Sequence, residues 1–175
     1  MSELRDLIVD VAGFPRPGIV FKDISPLLAD PVAFAAAVDA MATVHLGQHI
    51  DRVVGIEARG FVLAAPVAYR LGAGFVPVRK PGKLPKAVHE TAYDLEYGQN
   101  VLQVHRDGLS PGDRVLVVDD VLATGGTAAA AAHLVRACGA ELVGFSLLLE
   151  LGFLGGRAAL EAAVPGVPVD CLLTL

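Results

Sequence analysis

The stretch Val115-Leu116-Val117-Val118-Asp119-Asp120-Val121-Leu122-Ala123-Thr124-Gly125-Gly126-Thr127 decides the fold. Its four leading apolar residues, Val115 to Val118, read as a strand buried on both faces, as in a parallel sheet. Asp119 and Asp120 follow at the carboxyl end of that strand, where open α/β sheets place their ligands. The segment Ala123-Thr124-Gly125-Gly126-Thr127 then carries no bulky side chain. Its backbone N–H groups can approach an anion closely, and the helix that follows points its positive end at the same spot. A strand ending in Asp also occurs in P-loop ATPases. That reading needs a Gly-x-x-x-x-Gly-Lys-Ser/Thr run, which the chain does not contain. A bare strand-to-helix turn accounts for one Asp and one Gly, not for paired acids followed by Thr-Gly-Gly-Thr. The stretch therefore reads as a site for a phosphorylated ligand that also carries hydroxyls.

Outward from this stretch, strand and helix alternate. The segment from Arg114 continues through a helix of about Gly126 to Cys138 into a strand of about Leu142 to Leu149. Upstream, Arg52 to Glu57 reads as a buried strand, Phe61 to Leu71 as a helix ended by Gly72-Ala73-Gly74, and Phe75 to Val78 as the next strand. Such alternation predicts a parallel α/β sheet flanked by helices. Nearer the N-terminus, Leu4, Leu7, Ile8 and Val11 have helical spacing, Ile19 to Ile24 is extended in character, and Asp30-Pro31 starts a helix over Val32 to Leu46. Between the two halves lies a basic, turn-rich run, Arg79-Lys80-Pro81-Gly82-Lys83-Leu84-Pro85-Lys86. After it, Thr91 to Tyr97 and Asn100 to His105 can pair as a hairpin around Gly98. An excursion of this length inside one domain is usually functional, and it reads as a mobile lid over about 80–105. The C-terminal part offers a short helix, Gly155 to Ala163, and a last strand.

With 175 residues, of which 54% are hydrophobic and 19% charged, the chain suits one folded domain, 1–175, rather than disorder. No run approaches the ~20 apolar residues of a membrane span, and the start lacks a secretory profile. A net charge of −5 argues against nucleic acid as a partner and requires that a polyanionic substrate be held by local donors. Cys138 and Cys171 read as reduced, buried thiols of a cytoplasmic protein. His45 and His49 have the spacing of a metal pair, but Gly47 lies between them and nothing nearby completes a site, so no resident metal is expected from protein ligands.

Val115 to Thr127 resembles the phosphoribosyl pyrophosphate (PRPP) motif of the type I phosphoribosyltransferases. Phe14-Pro15-Arg16-Pro17-Gly18-Ile19-Val20-Phe21-Lys22-Asp23-Ile24-Ser25-Pro26 resembles the purine-pocket segment of the adenine-specific members. Gly55-Ile56-Glu57-Ala58-Arg59-Gly60-Phe61 resembles their second pyrophosphate loop. Arg79 to Pro85 and Leu95-Glu96-Tyr97-Gly98 resemble the two ends of their lid. These segments come in family order and span almost the whole chain. The resemblance implies a parallel sheet with a small hood and a flexible lid. It also implies a purine-salvage reaction, in which the 5-phosphoribosyl group passes from PRPP to adenine and gives AMP and pyrophosphate. It implies magnesium carried mainly by PRPP and pyrophosphate, and a homodimer.

Residue by residue, the resemblance places Asp119 and Asp120 on the ribose hydroxyls, where a carboxylate can accept from vicinal groups and suits a developing sugar cation. Ala123, Thr124, Gly125, Gly126 and Thr127 would hold the 5′-phosphate. Arg59 and Lys80, joined by Lys83 from the lid, would face the pyrophosphate. Glu96 is the expected general acid/base toward a ring nitrogen of adenine. Val20 and Lys22 would read the adenine edge through their backbone, Phe21 would stack on it, and Leu154 would close its other face. A transferase for another purine or a pyrimidine, and a PRPP-sensing regulator without turnover, are the competing readings.

Overall fold

The computed structural model describes residues 2–94 and 99–175. Its centre is a parallel sheet of five strands in the order β4-β3-β7-β8-β9. These are β3 (Arg52–Ile56), β4 (Gly74–Val78), β7 (Arg114–Leu122), β8 (Glu141–Glu150) and β9 (Val169–Thr174). The crossovers are α4 (Arg59–Leu71) between β3 and β4, α5 (Gly126–Ala137) between β7 and β8, and α6 (Gly156–Ala163) between β8 and β9. The expected alternation is thus present, and it works because both faces of the sheet are covered. Val115 and Val117 of β7 join one core with α5, α6 and the buried Leu102 and Val104. Leu116 and Val118, the alternate positions, join a second core with α3 (Pro31–Thr43) and α4.

β7 is longer than its apolar run. It continues through both acids to Leu122 because β8 carries the ladder to its own end, pairing Asp119 with Leu147 and Leu122 with Glu150. Asp119 and Asp120 therefore lie inside the strand and are buried, where the sequence pattern placed them just beyond it.

The N-terminus corrects one expectation. The helix read over Leu4 to Val11 stops early, as α1 (Ser2–Asp6), and Val9–Ala12 forms a strand, β1. β1 pairs antiparallel with β2 (Val20–Asp23), in the register Val9 with Asp23 and Ala12 with Val20. The β-branched Val9 and Val11 suit a pleated ribbon, and the partner that decides the matter lies beyond the Phe14 to Gly18 turn. This small two-stranded unit sits apart from the main sheet as a hood. A second ribbon, β5 (Val88–Asp94) with β6 (Gln99–His105), is the expected hairpin; Gly98, around which its turn is expected, lies outside the described residues.

α2 (Ser25–Ala29) leads into α3, whose start is set by Asp30. Its Oδ1 accepts from the N–H groups of Val32 and Ala33 at 2.9 and 2.8 Å, with Pro31 at the first helical position. Asp30→Ala is expected to cost about 0.5–2 kcal/mol of stability, read as a lowered Tm with unchanged Michaelis constants. Cys138 is buried, Cys171 half-buried, and both are free; burial pushes the Cys171 thiol up to about 12.

Candidate active site

The carboxyl ends of β3 and β7 open into two adjoining cavities. The first, of about 310 Å³, is bounded by the turn at Glu57, Ala58 and Arg59, by Lys80, and by the β7–α5 loop. The second, of about 720 Å³, lies between that loop, the hood strand β2 and the Leu151 to Leu154 segment. Arg59, Asp120, Val121, Ala123 and Thr124 belong to both walls. The two spaces differ in chemistry. The first carries the charged residues Glu57, Arg59, Lys80, Asp119 and Asp120 in its wall, beside the β7–α5 loop. The second is walled largely by apolar side chains, among them Ile19, Val20, Phe21, Leu149 and Leu154.

Asp119 and Asp120 form the floor of the first cavity, 8% and 6% exposed. Asp119 Oδ1 accepts from the Asp120 N–H at 2.9 Å. Asp120 Oδ2 meets Arg59 Nε at 2.7 Å. Burial pushes the Asp119 carboxyl well above its ordinary value of 3.8, and the neighbouring Asp120 charge pushes the same way. Burial also raises Asp120, against the opposing pull of the Arg59 guanidinium. On the α4 side Asp119 is closely packed. A β-carbon on Gly60, at the start of α4, would stand 2.5 Å from its Oδ1 and 3.2 Å from the Val118 carbonyl oxygen. Gly60 is there because the helix must approach this close.

These shifts have a stability consequence. Both folded-state pKa values are raised above the unfolded value, so the folded chain binds more protons between the two. The associated stability is fully present below the ordinary carboxylate range and is lost as pH rises through the raised values. Asp119→Asn, which keeps an acceptor for the Asp120 N–H and removes the charge, is therefore expected to raise Tm near neutral pH. That gain should shrink as pH falls toward 4. Thermal melts of the two proteins across this range check it; a Tm deficit at neutral pH would mean that the carboxylate is a structural necessity.

The β7–α5 loop turns on Gly125, with φ +86°, and hands its backbone to α5 at Gly126. Ala123, Thr124, Gly125 and Thr127 line the first cavity. Arg59 lies at the first residue of α4, with its guanidinium carbon 4.6 Å from the centre of the Phe21 ring. Phe21 is in turn met edge-on by Phe14 at 5.1 Å. Val20, Phe21, Lys22 and Leu154 all line the apolar cavity, and Lys22 Nζ is held 2.6 Å from Asp10 Oδ1 on the paired strand. Lys80 lines the first cavity. Lys83 is exposed and belongs to neither wall; its carbonyl accepts from Arg79 Nη1 at 3.3 Å. Glu96 lies outside the described residues.

Three wall residues had no role in the sequence reading. Glu57 Oε2 accepts from Arg79 Nε and from the Lys80 N–H, both at 3.1 Å, and so fixes where Lys80 leaves the strand. Burial acts to raise its carboxyl, but these donors outweigh it and hold the group below the ordinary range. Tyr93 and Asn100, cross-strand partners on β5 and β6, reach the same cavity. The Tyr93 hydroxyl lies 3.3 Å from Thr127 Oγ1 and 3.5 Å from Asn100 Nδ2. An acid closing a buried strand was a signal available for Glu57. Nothing local marks Tyr93, whose partner is 34 residues away.

Residues 25–158 match the family model described as phosphoribosyl transferase domain. Adenine phosphoribosyltransferase of Streptomyces coelicolor is 61% identical over 172 residues, covering 98% of this chain and 94% of that protein. A crystal structure of adenine phosphoribosyltransferase from Rhodothermus marinus superposes with a TM-score of 0.94 at 48% identity, covering 99% of this chain and 97% of that one. The Saccharomyces cerevisiae adenine phosphoribosyltransferase, complexed with D-2,5-dideoxy-2,5-imino-altritol 1,6-bisphosphate and adenine, superposes with a TM-score of 0.89 at 38% identity, covering 98% of this chain and 97% of that one.

Proposed function

The chain belongs to the phosphoribosyl transferase domain family, and we infer from that premise that it transfers the 5-phosphoribosyl group of PRPP to adenine, giving AMP and pyrophosphate in purine salvage. The observation that carries this reading is the pair of cavities meeting at Arg59, Asp120, Ala123 and Thr124. A space walled by charged residues and the β7–α5 loop, suited to a sugar phosphate, adjoins a more apolar slot that suits a flat base.

The residue roles follow from donor and acceptor chemistry. Asp119 and Asp120 accept hydrogen bonds from the ribose hydroxyls and stabilise positive charge developing at the sugar C1. Amides of the Ala123 to Thr127 loop, with the hydroxyls of Thr124 and Thr127, hold the 5′-phosphate, and that remote anchoring positions the reacting carbon. Arg59 engages Asp120 through Nε, which leaves its other N–H donors for pyrophosphate; Lys80 adds a second cation. The exposed side chain of Lys83 can reach the leaving group only by moving inward with the lid. Phe21 and Leu154 sandwich the base, and the backbone of Val20 and Lys22 reads its edge. Tyr93, through Thr127, ties the β5–β6 ribbon to the phosphate loop. Glu96 completes the set by exchanging a proton with an adenine ring nitrogen.

Magnesium fits this donor set as an ion that arrives with PRPP. Asp119 and Asp120 offer hard oxygen ligands, and magnesium keeps several waters and substrate phosphate oxygens rather than a closed protein cage. Its chemistry here is to neutralise the leaving pyrophosphate. The reading includes a homodimer, supported by Val62 and Tyr69, exposed seven residues apart on one face of α4, and a cytoplasmic setting, supported by two free thiols. No helix among the described residues is long and apolar enough to cross a membrane, and the net charge of −5 does not favour a nucleic-acid partner. The test is turnover of a base panel with PRPP and magnesium. AMP formation from adenine, with hypoxanthine, guanine and uracil used far more slowly, is expected. No AMP, or faster use of a 6-oxopurine, would overturn the assignment.

A further inference from the structure

We propose that Gly156 and Arg157, at the start of α6, are positioning residues for the 5′-phosphate loop, with Glu150 as their anchor. The proposal rests on that loop being the phosphate site. Gly156 is buried, and a β-carbon there would fall inside the Ala123 carbonyl group and stand 3.1 Å from the Gly125 nitrogen. The reverse holds as well: a β-carbon on Gly125 would stand 2.6 Å from the Gly156 carbonyl oxygen. The loop and the helix start thus meet backbone to backbone, with no side chain between them to absorb a shift.

The helix start is itself fastened. Arg157 places Nε 3.1 Å and Nη2 2.6 Å from the Glu150 carboxylate oxygens, and Nη1 donates to the Val169 carbonyl at 2.7 Å. Such a bidentate pair fixes direction as well as distance. Glu150 closes β8 directly opposite Leu122, the residue that precedes the loop, and the Leu151 N–H donates to the Leu122 carbonyl at 2.9 Å. The contacts form a closed circuit from β7 to β8, to α6, and back onto the loop. Leu154 lies two residues before Gly156 and walls the base cavity. One fastening therefore sets both the sugar-phosphate cradle and one side of the base slot.

The experiment compares Gly156→Ala, Arg157→Lys and the control Gly166→Ala. Gly166, whose φ is +78°, has nothing within 4 Å of a β-carbon, so its substitution strains only the local backbone and is expected to lower Tm and leave the Michaelis constants alone. Displacing the loop by about 1 Å is expected to raise the PRPP KM of Gly156→Ala by roughly 10- to 100-fold. Its dissociation constant for ribose 5-phosphate, measured by calorimetry, should weaken in parallel. Arg157→Lys keeps the charge but loses the planar fork, so it should show the same pattern more weakly, and it carries the test if Gly156→Ala does not fold. Lowered Tm with unchanged KM and unchanged ribose 5-phosphate affinity would overturn the proposal. Failure of the parent enzyme to make AMP would instead overturn the functional reading beneath it.

Discussion

Arg59→Ala is expected to lower kcat/KM for PRPP by roughly 10²–10³-fold, equivalent to about 3–4 kcal/mol of transition-state stabilisation. Three losses coincide. The pyrophosphate loses a guanidinium partner. Asp120, 6% exposed, loses the cation at 2.7 Å that offsets its burial. Phe21 loses the group stacked 4.6 Å from its ring centre. The Arg59 side chain is itself 36% exposed, so water screens part of the pair and the upper range for severed buried ion pairs does not apply. Alanine at the first position of α4 sustains the helix, so any loss of Tm should come from the buried Asp120 left without its cation and should grow as pH rises toward neutral. Arg59→Lys should recover the charge but not the fork or the stack, and should sit between the two.

The same substitution makes a pH prediction. Burial raises the Asp120 carboxyl, and Arg59 is the principal opposing influence. Removing Arg59 therefore raises that carboxyl further, and the acid limb of the kcat/KM profile for PRPP should move to higher pH. The sign follows from the proposed role of Asp120 as an acceptor for a ribose hydroxyl, a role its ionised form serves best. A profile that only drops in height, with its acid limb unmoved, would separate Arg59 from the ionisation of Asp120.

What could be read in the sequence, and what could not, divides along the range of the interactions. Val115 to Thr127 was legible because its meaning is local: an apolar strand, two acids and a loop free of bulky side chains. The alternation around it fixed the parallel sheet for the same reason. β1 was misread because Leu4, Leu7, Ile8 and Val11 do have helical spacing, and only pairing with Val20–Asp23 turns Val9–Ala12 into a strand. Within the site, the resemblance to a family assigned Arg59 and the β2 residues, yet no local pattern joins Arg59 to Asp120, which lies 61 positions away. The glycine contact between Gly156 and the phosphate loop is invisible for the same reason. Gly155-Gly156 reads only as the start of a short helix until the Ala123 carbonyl is seen against Gly156.

Glu96→Gln is expected to lower kcat by ~10²–10⁴-fold, the usual contribution of a positioned general acid or base, while PRPP affinity stays near that of the parent. The assignment of this role comes from the Leu95 to Gly98 motif, which lies outside the described residues. Tyr93, three positions before Glu96 in sequence, touches the phosphate loop through Thr127. Glutamine preserves size and hydrogen-bonding reach but cannot exchange the proton, so binding and chemistry should separate. Single-turnover kinetics, with PRPP affinity measured by calorimetry in parallel, distinguishes the outcomes. A slow chemical step with unchanged affinity supports proton transfer by Glu96. Equal losses in affinity and rate would mean that its charge serves to order the ribbon, and the proton would then have to be exchanged by another group or by water.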